Sequence, residues 1–207
     1  MTPVALHGVT VIGCGLIGTS IALALTRAGV QVSLTDHEDD VLDRAWRMGA
    51  GTPLAHDQRP ADLVVIATQA SAAVDTLYEA QARGLGHSYT DIAGSKREIW
   101  QEAELRACDL WGYLPGHPVV GPDLRHPDAA RADLFAERPW ILCPYPLVEP
   151  AALAAADELV SLCGGRRRDM TLTEHDRFSA AQRRPTHSGP RRRHRPPAGA
   201  PRRGPSH

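Results

Sequence analysis

The stretch Val9-Thr-Val-Ile-Gly-Cys-Gly-Leu-Ile-Gly18 decides the fold of this 207-residue chain. Its first four residues are apolar or β-branched and predict a buried strand, and the helical periodicity of residues 16–28 predicts a helix directly after it. Between the two, Gly13, Gly15 and Gly18 form the pattern G-x-G-x-x-G. The first glycine permits a tight turn, the second lets the backbone approach a pyrophosphate, and the third lets the helix pack against the strand. The stretch therefore predicts a dinucleotide-binding strand–turn–helix unit.

Strand and helix patterns continue to alternate along the chain, which predicts an α/β fold of the Rossmann type, a parallel sheet with helices on both faces. Further strands are predicted at residues 30–35, 62–67, 88–92, 110–114 and 140–143, and further helices at residues 38–48, 71–83, 95–107 and 150–163. Ser95 opens a capping-box pattern for one helix, and Thr173-Glu-His-Asp176 predicts another helix from about residue 174. The four prolines of Pro115–Pro127 predict a loop.

The charge is divided between two unlike parts of the chain. Residues 1–182 carry 15 basic and 24 acidic side chains, a balance of −9, whereas residues 183–207 carry eight arginines, six prolines and no acid. The acidic body argues against nucleic acid as the main partner. We therefore expect a dinucleotide-binding domain at 1–172, the start of a helical dimerisation domain at 173–182, and a disordered Arg/Pro-rich tail at 183–207.

Cysteine spacing and the first apolar run bear on the compartment. The cysteines contain no C-x-x-C pair, so they predict neither a metal site nor a disulfide scaffold, and they fit a reducing cytoplasm; they are Cys14, Cys108, Cys143 and Cys163. The apolar run of residues 9–25 contains glycines and hydroxyl side chains, and no lysine or arginine precedes it. It is therefore predicted to be neither a signal peptide nor a membrane helix.

Asp36 ends the second predicted strand, 18 residues after Gly18. A carboxylate at this place would accept hydrogen bonds from an adenine-ribose diol and would repel a 2′-phosphate. Because no arginine follows Asp36, the sequence predicts NAD as the cofactor rather than NADP. The alternative is a glycine-rich turn beside an ordinary surface aspartate.

Two further side chains are candidates for catalysis. His117 lies between Gly116 and Pro118, in a predicted stiff loop that would aim its imidazole, and the ordinary pKa of histidine suits a general base near neutral pH. The alternative is a loop histidine that bonds to the backbone. Ser95 is either a polar group near the nicotinamide end of the cofactor or the N-cap of the following helix, and the residues leave both open.

Taken in order, six segments resemble the prephenate dehydrogenase family. They are residues 13–22, 62–68, 90–96, 116–121, 133–144 and 174–177. The resemblance covers about residues 8–181. The resemblance is specific in combination, because many dehydrogenases share the glycine pattern but not the G-H-P segment at this distance from it.

The resemblance implies an NAD-dependent enzyme that decarboxylates prephenate, or its amino analogue arogenate, in tyrosine biosynthesis. It implies that His117 takes the hydrogen bond of the substrate hydroxyl and helps to remove its proton, while hydride passes to NAD and loss of CO2 aromatises the ring. It implies catalytic roles for His117 and Ser95, and cofactor-binding roles for Gly13, Gly15, Leu16, Ile17, Gly18, Asp36 and Thr68.

The sequence departs from the family pattern in three places. Gly94 stands where the family has a serine, which displaces Ser95 by one position, and Asp123–His126 replaces a smaller turn. After Gln182 the Arg/Pro run stands where the family has a helical domain that forms the dimer and closes the site. We interpret this change as a frameshifted or truncated chain without the family homodimer; the alternative is a genuine basic tail that binds nucleic acid. A catalytically silent NAD-binding remnant and another Rossmann dehydrogenase remain alternative functions.

Overall fold

One eight-stranded sheet, in the order β3-β2-β1-β4-β5-β6-β7-β8, forms the centre of the computed structural model, which describes residues 5–121 and 129–182. The strands are β1 Gly8–Ile12, β2 Gln31–Thr35, β3 Thr52–Pro53, β4 Ala61–Ile66, β5 Gly86–Asp91, β6 Tyr113–Pro118, β7 Pro139–Leu142 and β8 Arg166–Asp169. The helices are α1 Leu16–Arg27, α2 Asp39–Arg47, α3 Ala73–Ala82, α4 Arg97–Leu105, α5 Pro150–Leu162 and α6 Leu172–Gln182.

The strand order reverses between β1 and β4. Strands β2 and β3 extend the sheet on one side of this pair, and β5 and β6 extend it on the other, all in parallel. Only β6 and β7, among the described pairs, run antiparallel. Parallel strands bring their carboxyl ends to the same edge, and a crevice forms where the order reverses. The predicted Rossmann-type parallel fold is confirmed, with this one antiparallel pairing added.

The helices cover both faces of the sheet, as successive residues of β4 show. Leu63 and Val65 belong to the apolar core that includes buried residues of α1, α2 and α5. Val64 and Ile66 belong to a second core with buried residues of α3 and α4. This alternation explains why the sequence of β4 reads as a continuous apolar run, since both faces of the strand are buried. In the described part of the chain, every helix is too short or too polar to cross a membrane.

The predicted loop from Pro115 is wrong over its first four residues. Strand β6 continues to Pro118, so His117 lies in a strand, and residues 116–118 pair with β7. A proline lacks only the N–H, and its carbonyl can still join a ladder: the carbonyl of Pro115 accepts the N–H of Cys143 at 2.9 Å. The predicted strand 110–114 is accordingly displaced toward the carboxyl terminus.

Both predicted helix caps are displaced. Helix α4 begins at Arg97, with Lys96 rather than Ser95 at the N-cap. Helix α6 is capped two residues earlier than expected, because Thr171 and Glu174 form a reciprocal capping box: the Glu174 N–H donates to Thr171 Oγ1 (3.2 Å), and the Thr171 N–H donates to the Glu174 carboxylate (2.8 Å).

Strands β3 and β8 were not predicted, because one has two residues and the other reads Arg-Arg-Arg-Asp without any apolar signal. Two sequence predictions lie outside the described residues. They are the Asp123–His126 turn and the Arg/Pro-rich tail of residues 183–207.

The glycine turn is packed too closely for side chains at two of its three glycines. Gly13 has a φ of +101°, and a Cβ there would lie 2.6 Å from the carbonyl oxygen of Ala67. A Cβ on Gly18 would lie 1.9 Å from the carbonyl oxygen of Gly13. A Cβ on Gly15, by contrast, would have no heavy atom within 4 Å. Gly13 and Gly18 therefore serve packing, and Gly15 keeps the outer side of the turn open.

We predict that Gly18→Ala lowers the free energy of unfolding by about 2 kcal/mol or more, because its methyl group would overlap backbone rather than a flexible side chain. The melting temperature should fall by about 4 °C or more. Gly15→Ala is the matched control, with an expected loss of less than about 1 kcal/mol for the poorer N-cap. Equal losses in thermal unfolding of the two variants would contradict this account.

Candidate functional site

A cavity of about 710 Å³ opens at the carboxyl ends of β1, β2 and β4. Four of the predicted cofactor residues line it, namely Gly13, Gly15, Asp36 and Thr68. The other three, Leu16, Ile17 and Gly18, form the first turn of α1 and do not line the cavity with their side chains. The first N–H groups of a helix lack intrahelical partners, so this turn offers backbone donors to an anion.

Asp36 joins the glycine turn to the end of β2. Its side chain is 6% exposed. Its Oδ2 accepts the N–H of Cys14 at 2.6 Å, and its Oδ1 accepts the N–H of Glu38 at 3.0 Å. A carboxylate can accept about four hydrogen bonds. His37 Nδ1 also lies 3.0 Å from Oδ1, so Asp36 orients the turn and keeps acceptor capacity mainly on Oδ2, which suits a diol.

Thr68 follows β4 and provides a buried polar atom at the cavity wall. Its Oγ1 is buried and has no hydrogen-bond partner within residues 5–121 and 129–182. A buried hydroxyl without a partner costs free energy unless a ligand or water bonds to it. Together with the open side of Gly15, this atom makes the cavity fit a polar ligand such as a dinucleotide.

Two arginines also line the cavity, although sequence reasoning did not identify them. Arg44 comes from α2 and Arg83 follows α3, and both lie on the same cavity as Asp36. The prediction of NAD depended on the absence of an arginine directly after Asp36. The fold instead places Arg44 and Arg83 on the cavity together with the acidic Glu38 and Glu79, so the local pattern alone does not describe the electrostatics of this cavity.

His117 lies in β6, where the strand extends past the end of β5. In the register of the two strands, Asp91 is opposite Pro115, so His117 lies beyond the last paired residue of β5. A Cβ built on Gly94 would lie 3.8 Å from His117 Nε2. Gly94 therefore faces the imidazole. Ser95 is half-buried in the same bend, and its predicted catalytic role remains a prediction.

The other ring nitrogen of His117 meets a second histidine, which sequence reasoning did not assign a role. His117 Nδ1 lies 2.9 Å from Nε2 of His175, which is fully buried in α6. His175 Nδ1 lies in turn 3.1 Å from Asp176 Oδ1. Burial lowers the pKa of His175, an effect that the hydrogen bond from His175 Nδ1 to the Asp176 carboxylate opposes. His175 is consequently neutral near pH 7.

Asp176 also caps α4 from a distant part of the chain. Its Oδ1 accepts the N–H of Lys96 at 3.0 Å, and its Oδ2 accepts the N–H of Arg97 at 3.4 Å. Burial raises the pKa of Asp176, but the N–H of Lys96, the His175 imidazole and the N–H of Arg97 outweigh burial and lower it. Asp176 therefore accepts hydrogen bonds at the start of α4, where the sequence pattern predicted Ser95 as the cap.

A buried ion pair lies under the same bend. Lys96 Nζ contacts Asp91 Oδ2 at 2.5 Å, and Tyr113 Oη donates to Asp91 Oδ1 at 2.8 Å; all three side chains are fully buried. Burial lowers the pKa of Lys96, whereas the Asp91 carboxylate opposes that change. Burial, followed by the charge of Asp91, raises the pKa of Tyr113, which stays protonated as a donor. The cluster ties the start of α4 to β5 and β6.

The four cysteines are free and buried. Burial raises the pKa of Cys14, Cys143 and Cys163 to about 12, so these thiols stay protonated and are poor nucleophiles and metal ligands. Across residues 5–121 and 129–182, no group of three or more His, Cys, Asp or Glu side chains is arranged to hold a metal ion.

Comparison with known sequences gives a consistent result. Residues 21–168 match the family described as prephenate dehydrogenase, nucleotide-binding domain. A probable prephenate dehydrogenase of Streptomyces niveus, NovF, is 40% identical over 170 residues, which are 82% of this chain and 47% of that protein. A cyclohexadienyl dehydrogenase of Zymomonas mobilis is 31% identical over 181 residues, 83% of this chain and 61% of that protein. The chain thus spans about half the length of the curated relatives it matches.

Solved structures share the fold. Prephenate dehydrogenase from Aquifex aeolicus, in complex with hydroxyphenyl propionate and NAD+, has a TM-score of 0.75 at 17% identity, covering 84% of this chain and 63% of that one. Arogenate dehydrogenase from Synechocystis has a TM-score of 0.73 at 24% identity, with the same coverage of 84% and 63%. At 17% and 24% sequence identity, this similarity shows a shared fold and nothing more.

The lowered pKa of His175 predicts a pH dependence of stability. The unfolded chain, with an ordinary histidine pKa of about 6.5, binds a proton that folded His175 resists. A neutral His175 therefore has no destabilising effect above about pH 6.5. Below that pH, the free energy of unfolding falls by at most about 1.4 kcal/mol per pH unit. Denaturant unfolding at several pH values should show a smaller slope in His175→Gln. An unchanged slope in that variant would contradict the assignment.

Proposed function

The chain belongs to the prephenate dehydrogenase family, and on that premise we propose that it carries out the NAD-dependent oxidative decarboxylation of prephenate or arogenate, in tyrosine biosynthesis. The observation that carries the proposal is that His117 lies at the carboxyl edge of the sheet, where the glycine turn also lies. Between β1 and β6 there are three strand spacings, or about 14 Å. An extended dinucleotide bound at the glycine turn could span this distance toward His117.

The residues of the cavity fit NAD. The pyrophosphate would lie against Gly15 and the N–H groups of Leu16 and Ile17 at the start of α1. Asp36 would accept hydrogen bonds from the adenine ribose, and the buried Thr68 hydroxyl would gain the partner that it lacks within the described residues. When bound, NAD supplies the acceptor for the hydride.

His117 would act as the general base. Its imidazole would accept the proton of the substrate hydroxyl as the hydroxyl-bearing carbon loses hydride and becomes a carbonyl carbon. The carboxylate of the substrate then leaves as CO2, and its bonding electrons pass into the ring, so that the ring becomes aromatic and the carbonyl becomes a phenolate oxygen that can take back the proton. The proton is held by His117, two electrons leave with the hydride, and the reaction needs no further oxidant.

The proposed function also implies a cellular compartment and a class of ligand. Free, buried thiols fit a reducing environment, so we infer a cytoplasmic protein whose ligands are a small-molecule substrate and NAD.

We expect Asp36→Arg to weaken NAD binding by about tenfold or more, because the ribose diol loses its acceptor, and to favour NADP through its 2′-phosphate. Since Asp36 also accepts the N–H of Cys14, Asp36→Asn is a second variant that removes the charge and keeps one accepting oxygen, while an NH2 group replaces the other. Calorimetric titration of both cofactors measures the effects. Unchanged NAD affinity in folded Asp36→Arg would remove Asp36 from the cofactor site.

We expect His117→Asn to keep NAD affinity and to lose about 100- to 10,000-fold in turnover, the contribution typical of a general base. Formation of NADH with prephenate and with arogenate measures turnover, and His87→Asn, at an exposed position of β5, is the control. Unaltered turnover in His117→Asn would exclude His117 from the mechanism. NAD binding by the unmodified chain without turnover of either substrate would contradict the proposed reaction.

A further inference from the structure

His117 is connected to a carboxylate through a second histidine. The contacts run from His117 Nδ1 to His175 Nε2 at 2.9 Å, and from His175 Nδ1 to Asp176 Oδ1 at 3.1 Å. The two rings meet edge to face, with centroids 5.0 Å apart. Each imidazole has two nitrogens whose protons depend on their partners. The protons at these two contacts can therefore be assigned in turn, starting from Asp176.

The ionised state of Asp176 fixes the position of the proton between Asp176 and His175. The N–H groups of Lys96 and Arg97 donate to its two oxygens, which favours the ionised form, so that Asp176 is only an acceptor near neutral pH. The proton between Asp176 and His175 consequently resides on His175 Nδ1.

The neutral ring of His175 fixes the position of the proton between His175 and His117. Because burial keeps its ring neutral, a proton on Nδ1 leaves Nε2 as an acceptor. Two groups approach that atom, His117 Nδ1 at 2.9 Å and Ser179 Oγ at 3.3 Å, and both are able to donate. The closer contact requires the proton of His117 to be on Nδ1.

We propose that His175 and Asp176 are positioning residues that hold His117 in the tautomer protonated on Nδ1, so that its Nε2 is the proton acceptor for the substrate hydroxyl. The proposal rests on the proposed dehydrogenase function for the substrate, whereas the tautomer is a property of the protein alone. Gly94 faces Nε2 of His117 without a side chain, which is compatible with the approach of a hydroxyl from that side.

The surrounding charges favour the protonated product of this step. When His117 takes a second proton, its Nδ1–H still donates to His175, and the negative charge of Asp176 lies at the far end of the row. The nearby Lys96 and Asp91 form an ion pair and largely cancel each other. Of the charges described in this row and beside it, Asp176 therefore leaves a negative charge to stabilise the imidazolium that would form.

The decisive measurement is the tautomer of His117 in the full chain, read from long-range 1H–15N NMR spectra of histidine-labelled protein. We expect His117 to be protonated on Nδ1 in the unmodified protein. His175→Phe removes the acceptor while keeping a ring, and should shift His117 toward protonation on Nε2. His175→Gln is the matched variant, because its amide oxygen can replace the lost acceptor and should restore the Nδ1–H form.

Turnover supplies the second readout. His175→Phe should lower kcat by about 10- to 100-fold with KM little changed, and His175→Gln should recover about tenfold of that loss. His117 protonated on Nε2 in the unmodified protein, or an unchanged tautomer in folded His175→Phe, would overturn the proposal. A chain that shows the expected tautomers and still oxidises neither prephenate nor arogenate would contradict the proposed function. That result would nevertheless support the role of His175 and Asp176 in positioning His117.

Discussion

The contact between the glycine turn and the residues after β4 is the constraint on which the site depends. Because Gly13 and Gly18 carry no Cβ, the turn can pack against the backbone of Ala67, and α1 can begin immediately after the turn that follows β1. The N–H of Cys14 is then directed to Asp36 at the end of β2. One steric requirement thereby brings the ends of three strands to one cavity, and it leaves the outer side of Gly15 open to a ligand.

A second part of the site is assembled from the opposite end of the chain. Helix α6 packs against α4 and supplies Asp176, which caps α4 through the N–H groups of Lys96 and Arg97. The same carboxylate accepts a hydrogen bond from His175, and His175 contacts His117. Asp176 has both a structural and a functional role, because one side chain caps the start of α4 and orients His175.

The proline-rich segment shows why a sequence pattern can predict the wrong element. Pro115 and Pro118 suggested a loop, since proline cannot donate to a sheet ladder. Strand pairing needs acceptors as well as donors, and the carbonyl of Pro115 accepts a hydrogen bond while β7 pairs with residues 116–118. His117 is therefore directed by a paired strand. Ser95 is a second example. Its local pattern predicted a helix cap, but the carboxylate of Asp176, 80 residues from Lys96 in sequence, caps α4 instead.

The sequence by itself determined the parallel α/β fold and the glycine turn, because apolar periodicity and glycines spaced within one turn are local properties of the chain. It also offered Asp36 after a strand and His117 between Gly116 and Pro118 as candidates, whereas Thr68 came from the resemblance to prephenate dehydrogenases. Only the tertiary structure decided that Arg44 and Arg83 reach the cavity, that Asp176 caps α4, and that His175 contacts His117 across a separation of 58 residues. The two contacts of α6 depend on how this helix packs against α4, and no local pattern encodes the partner of a polar side chain.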